Sequence, residues 1–143
     1  MPSILHDFPI FAPIEKVFEV LATPAGLDQW WTLKSSGTPR VEMEYSLFFG
    51  PEYDWRAIVS KCIPNKEFEW TMTRSHDDWM GSRVGFTLEE KEGRTNVRFY
   101  HTGWKEEYEH FRISSFCWAM YLRIAKRYLE FGETVAYDKR LDA

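Results

Sequence analysis

The chain has only two cysteines, Cys62 and Cys117, far apart and in no C-x-x-C arrangement. That count and spacing exclude a disulfide framework and a cysteine-based zinc site. Long apolar runs are also missing: none approaches the roughly 18 residues of a membrane-spanning helix. No basic stretch followed by an apolar one opens the chain, so no secretion signal is expected. Two free thiols without an export signal point to a cytoplasmic protein. Net charge is −4 with both signs interspersed. The lack of a basic stripe argues against nucleic acid as a partner. The four histidines, His6, His76, His101 and His110, form no i, i+4 pair and have no cysteine beside them. From that spacing no metal site is expected, and no cofactor. There is no Gly-rich phosphate loop and no Gly-x-Ser-x-Gly elbow.

Aromatic residues are abundant: 7 Trp, 7 Tyr and 11 Phe in 143 residues. Rings of this bulk suit a strongly curved sheet wrapped around a helix or a pocket. The length predicts one domain, residues 1–143, with a real core.

The hydrophobic period changes along the chain. Ser3 to Phe11 reads as a strand, with Pro9 at an edge or bulge. Pro13 opens a helix striped by Ile14, Val17, Phe18 and Leu21. Thr23 ends it and caps a second short helix that runs to about Trp30. Ser35 to Pro39 reads as a loop. Alternation then marks five strands. Val41, Met43, Tyr45, Leu47 and Phe49 belong to the first; Trp55, Ala57 and Val59 to the second, where Ile58 breaks the pattern. Phe68, Trp70 and Met72 belong to the third, Val84, Phe86 and Leu88 to the fourth, and Val97, Phe99 and His101 to the fifth. Short connections, with Glu92-Gly93 as a hairpin turn, imply an antiparallel meander. Beyond Gly103 one long helix follows. Phe111, Trp118, Leu122, Ala125 and Leu129 lie on one line of its wheel. Cys117, Tyr121, Ile124, Tyr128 and Phe131 lie on the flank beside it. An amphipathic helix needs an apolar stripe of roughly 100°; this one has about twice that. The surplus must face other helices, a partner chain or a cavity. The expected fold is α+β: a helix grip, with a curved antiparallel sheet of about six strands around a long C-terminal helix and two short helices after the first strand.

The segment Ile10 to Trp31, with Ala12-Pro13, Val17-Phe18 and Pro24-x-x-Leu27-x-x-Trp30-Trp31, resembles the entry segment of START-like (SRPBCC, Bet v 1-like) proteins. It is most similar to the branch of activators of heat-shock-protein-90 ATPase. Phe99 to Trp104 and the Cys117-Trp118-x-x-Tyr121-Leu122 helix resemble a bacterial subgroup of that branch. The resemblance spans almost the whole chain. It implies a cavity between sheet and long helix. It departs at Val41 to Tyr45, where relatives often carry a Gly-Gly pair, and a less bulged strand is expected there.

The candidate ligand-binding residues are Trp30, Tyr45, Phe49, Trp55, Phe68, Trp70, Phe86, Phe99, Phe111 and Trp118. Tyr45, His101 and Ser115 are the polar groups that would orient a ligand. Each has a structural alternative. The rings can interlock completely and leave no room. His101, on an apolar face, needs a partner, and a bonded structural histidine satisfies that as well as a ligand contact does. Ser114 and Ser115 can hydrogen-bond back to their own helix. Three functions follow. The first is a binder of a small apolar, aromatic or lipid-like molecule. The second is a protein-interaction module like the chaperone activator, or a homodimer through the helix flank. The third is a cyclase- or hydrolase-like enzyme on a hydrophobic substrate, with His101 and Tyr45 as its polar groups.

Overall fold

The computed structural model describes residues 2–142. The chain runs β1 (Ile4–Ile10), α1 (Ile14–Ala22), α2 (Pro24–Trp30), β2 (Lys34–Ser36), β3 (Glu44–Phe48), β4 (Asp54–Ile63), β5 (Glu67–Arg74), β6 (Arg83–Lys91), β7 (Arg94–Thr102) and α3 (Glu109–Phe131). Short 3₁₀ segments occupy Asp77–Trp79 and Tyr137–Asp142. Among the described residues, seven strands form one antiparallel sheet in the order β1-β7-β6-β5-β4-β3-β2. α3 and the two short helices pack on it as a helix grip. The strand beyond the six expected is β2, in the stretch read as a loop. It pairs with Ser46–Phe48 and gives edge backbone groups protein partners.

The sheet curves because β4 is irregular. Its register shifts between Arg56 and Ala57 and between Val59 and Lys61. Such bulges bend a strand; between them Ile58 keeps a regular outward position, half-buried between the buried Ala57 and Val59. The expected strand over 41–49 begins only at Glu44. Glu42 has φ 74°, in the left-handed region, and Val41 and Met43 are thrown out to solvent. Backbone bonds continue irregularly there: Glu42 N–H donates to the Val59 carbonyl and Val59 N–H to the Met43 carbonyl. The expectation of a less bulged strand is therefore corrected: a left-handed glutamate makes the irregularity without a glycine pair. Glu92 and Gly93 both have positive φ, the twist that matches a two-residue hairpin.

The Thr23 hydroxyl accepts the Gly26 N–H at 3.3 Å and caps α2. α3 ends at Gly132 with φ 70° in a left-handed cap. Near that end Lys126 Nζ donates to the Pro9 carbonyl and to Glu130, and Glu130 accepts the Phe11 N–H. These bonds tie the exit of β1 to the last turns of α3.

The surplus apolar surface of α3 is covered from within the chain. Ile124 is buried; Cys117, Tyr121 and Tyr128 are half-buried. The 3₁₀ segment Tyr137–Asp142 folds back against α3. Arg140, 5% exposed, fixes it by donating to the carbonyls of Thr32 (3.1 Å), Asp28 (2.6 Å) and Val135 (3.3 Å). Tyr137 Oη donates to the Phe49 carbonyl at 3.1 Å. Of the flank read as a partner surface, Phe131 alone stays exposed. The other exposed large apolar residues of α3 are Ile113, on the same line of the helix as Phe131, and Phe116, further round from the covered flank.

Candidate functional site

Inward parity on the strands builds a continuous aromatic core. Phe68 faces Phe86 across β5 and β6, and Phe86 faces Phe99 across β6 and β7. Tyr45 and Trp70 pack edge-on against Phe68. From the helices come Trp30, Trp31 and Trp118; the Trp31 and Trp118 ring centroids are 4.9 Å apart. Tyr45, Phe68, Trp70, Phe86, Phe99, Trp30 and Trp118 are all buried. Tyr45 Oη donates to the Ala22 carbonyl at 2.7 Å. Burial raises the Tyr45 pKa well above the usual phenol value, so the hydroxyl stays a neutral donor.

His101 lies at the centre, fully buried. Trp118 Nε1–H donates to His101 Nδ1 at 3.1 Å. That contact assigns the remaining ring proton to Nε2, which donates to Ser82 Oγ at 2.8 Å. Ser82 Oγ in turn donates to the Trp79 carbonyl. Both ring nitrogens and the serine are satisfied inside the protein, which is what a buried polar chain requires. No ring nitrogen of His101 is left for a ligand. Burial pushes the His101 pKa down to about 3, so the native ring refuses a proton that the unfolded chain accepts. Stability is then complete above the ordinary value of 6.5 and falls as pH drops below it. The expected loss from about pH 7 to about pH 5 is about 2 kcal/mol. Urea unfolding of wild type and His101→Gln at both pH values tests this. Equal pH slopes in the two proteins would refute it.

A cleft lies outside this core, with a volume of about 730 Å³. One wall is the β3–β4 connection from Phe49 to Trp55. The second is the β5–β6 connection, with Arg74, His76 and Trp79. The third is the first half of α3, through His110, Ile113, Ser114, Cys117 and Tyr121. Tyr137 and Leu141 close the end, and Trp31 forms part of the floor. Phe49 and Trp55 meet edge-on at 5.2 Å, and Trp55 and Trp79 meet at a tilt, 4.9 Å apart. Ser114 Oγ accepts the Trp79 Nε1–H at 3.3 Å. Burial pushes the Tyr121 phenol up to about 12. Pockets for small molecules hold roughly 300–1,000 Å³ and combine apolar walls with a few polar groups. This cleft fits that description. A second depression, on the outer face of β1, β7 and β6, includes Asp7, Glu89, Arg94 and Arg98; it has one aromatic, Phe8.

Of the expected ligand-binding residues, the structure places Phe49 and Trp55 at the cleft. Trp30, Tyr45, Phe68, Trp70, Phe86, Phe99, His101 and Trp118 fill the core instead, because inward parity specifies a face and not an empty space. Phe111 packs against Trp104, at 5.4 Å, away from the cleft. Ser115 does not reach the cleft and Ser114 does, since one residue on a helix is a turn of about 100°. The Ser115 carbonyl faces β1 and accepts from His6 Nε2, while Ser114 is buried against Trp79. Trp31, Trp79, Tyr121, Tyr137 and the two rim histidines, His76 and His110, were not anticipated at the site. Trp79 did leave a signal, a large ring in the otherwise polar stretch Arg74 to Gly81.

Comparison with known proteins follows the same outline. A family model described as "Activator of Hsp90 ATPase homolog 1-like protein" matches residues 11–130. The solution structure of the Aha1 dimer from Colwellia psychrerythraea is 34% identical, with a TM-score of 0.84, covering 93% of this chain and 99% of that one. Protein SSP2350 from Staphylococcus saprophyticus is 22% identical, with a TM-score of 0.77 over 94% of this chain and 96% of that one. CalU16 from Micromonospora echinospora is 16% identical, with a TM-score of 0.76 over 98% of this chain and 81% of that one. These last two show the shared fold. No curated protein sequence matches the chain. No helix among the described residues is long and apolar enough to cross a membrane.

Proposed function

The chain belongs to the Activator of Hsp90 ATPase homolog 1-like family, and from that membership we propose that it is a ligand-binding helix-grip domain. It takes a small apolar or aromatic molecule in the cleft rather than in the filled core between sheet and helix. The observation that carries this is the lining: Phe49, Trp55 and Trp79 present adjacent rings, and Arg74 and Ser114 offer polar groups beside them. An aromatic molecule with a polar group suits this arrangement, its ring against the indoles and its polar group beside the Arg74–Asp54 ion pair.

The anionic fluorophore anilinonaphthalene sulfonate serves as the probe. Trp55→Ala is expected to weaken its binding about tenfold, a loss of about 1.4 kcal/mol, with little change in stability because Trp55 is only half-buried. Phe86→Ala should do the reverse, lowering stability and leaving affinity near wild type. Equal probe affinity in wild type and Trp55→Ala would remove the cleft from consideration.

A second reading, self-association, is favoured by the exposure of Phe116 on the side of α3 turned away from the sheet. The relative from Colwellia psychrerythraea is itself described as a dimer. We place a dimer contact at Phe116 rather than on the covered flank of Tyr121, Ile124 and Tyr128. Native mass spectrometry reads both proposals together. A co-purified organic mass supports the cleft, and a doubled protein mass that Phe116→Glu abolishes supports the dimer. A chaperone partner is supported by the family description alone.

A further inference from the structure

His76, Asp78 and His110 come together at the rim of the cleft although local spacing showed no metal motif. His76 caps the 3₁₀ turn Asp77–Trp79, and His110 stands in the first turn of α3. Their ring centroids are 3.9 Å apart. Asp78 lies beside both, its Oδ2 accepting from His110 Nδ1 at 2.7 Å and standing 3.9 Å from His76 Nδ1. One donor atom from each of the three lies within 4.8 Å of the others. The histidines are about half exposed and the aspartate about a quarter, so each can adjust its rotamer without disturbing the core.

From this juxtaposition we propose that His76, Asp78 and His110 bind one borderline divalent ion of the zinc class, with a coordination position left open towards the cleft. Two imidazoles and one carboxylate suit zinc, cobalt or nickel better than calcium or magnesium, which take oxygen ligands. Tetrahedral zinc with bonds of about 2.0–2.1 Å sets its donors about 3.3 Å apart. The three groups therefore need to close by at most about 1.5 Å. The ion replaces the present hydrogen bonds of the cluster, His110 to Asp78 and the Asp78 N–H to His76 Nδ1. Three protein ligands leave a fourth position for water or an exogenous donor. Both histidines line the cleft, so that position adjoins the space beside Trp55 and Trp79. The long-range assembly explains why the spacing of the histidines was silent: the ligands come from two segments that only folding brings together.

The site stands apart from the organic-ligand reading, and its test uses the metal alone. Tag-free, chelator-washed protein is titrated with Zn²⁺ by calorimetry and with Co²⁺ by visible absorption. One ion per chain is expected, with the more intense visible band of a four-coordinate cobalt site. His110→Gln and His76→Asn should each weaken binding at least about tenfold. Asparagine at 76 retains a side-chain acceptor for the 3₁₀ cap, so its near-ultraviolet spectrum should match wild type. His6→Gln, on β1, should leave affinity unchanged. Imidazole added to the cobalt protein should shift the band if a position is open. Failure to bind one ion, or binding that survives both His76→Asn and His110→Gln, would overturn the proposal. A band that imidazole does not move would overturn the open position.

Discussion

Replacing Trp118 with alanine is expected to cost about 3–5 kcal/mol of folding stability. The ring is 2% exposed and joins the parts of the core that the sheet alone cannot connect. It packs on Trp30 and Trp31 from the α2 region, on Trp79 from the β5–β6 connection, and on Phe99 from β7. Removing it opens a cavity among rings too large to close it. It also leaves His101 Nδ1 without its donor, and an unsatisfied buried acceptor adds about 1–3 kcal/mol within such totals. Domains of this kind have about 5–15 kcal/mol in all, so the variant should sit close to unfolding. Trp118→Phe helps separate the two contributions, because it removes the N–H while keeping part of the ring volume. Urea midpoints for both variants measure this. A loss below about 1 kcal/mol for Trp118→Ala would mean that the surrounding rings carry the core without it.

Gly26→Ala is the second large effect, expected at about 3 kcal/mol, the upper end for overpacking. Alanine is the better helix former by about 1 kcal/mol, so propensity alone predicts a gain. The packing reverses the sign. A Cβ at this position would fall within 2.6 Å of the Val20 carbonyl oxygen, Cα and carbonyl carbon. Those are backbone atoms of α1 and cannot swing aside. The same Val20 carbonyl accepts the Trp30 Nε1–H at 2.9 Å, so moving it also breaks that bond. Gly132→Ala is the informative contrast. Gly132 has φ 70° with open space around it, so only backbone strain of about 1 kcal/mol applies there. Thermal denaturation of both variants gives the comparison, and a stabilised Gly26→Ala would contradict the close approach of α1 and α2.

The sheet was legible because its alternation is nearly unbroken. Tyr45, Phe68, Trp70, Phe86, Phe99 and His101 point inward as parity requires. β2 was not legible, since three residues of Lys-Ser-Ser carry no period and pair only because β3 offers an edge. The cleft was harder still. Its walls come from connections, from the first half of α3 and from a 3₁₀ segment, so no single repeating pattern marks it. Alternation reports which way Phe86 points; whether the space ahead is empty depends on Phe18, which arrives from α1. The long helix shows the same limit on a finer scale. Its stripe was located, but a slip of one residue exchanged Ser115 for Ser114.

The C-terminal segment held by Arg140 has a practical consequence. Tyr137 and Leu141 form one end of the cleft, yet they lie beyond residues 11–130, the stretch matched by the family. The portion of the chain that makes the fold is thus largely separate from the portion that finishes the binding surface. Sequence drift in the last dozen residues can reshape what the cleft admits while the barrel-like grip is left alone. For the same reason, on the proposed reading, anything joined next to residues 137–141 hangs from the wall of the cleft, and ligand preferences measured on such a fusion belong partly to the appendage.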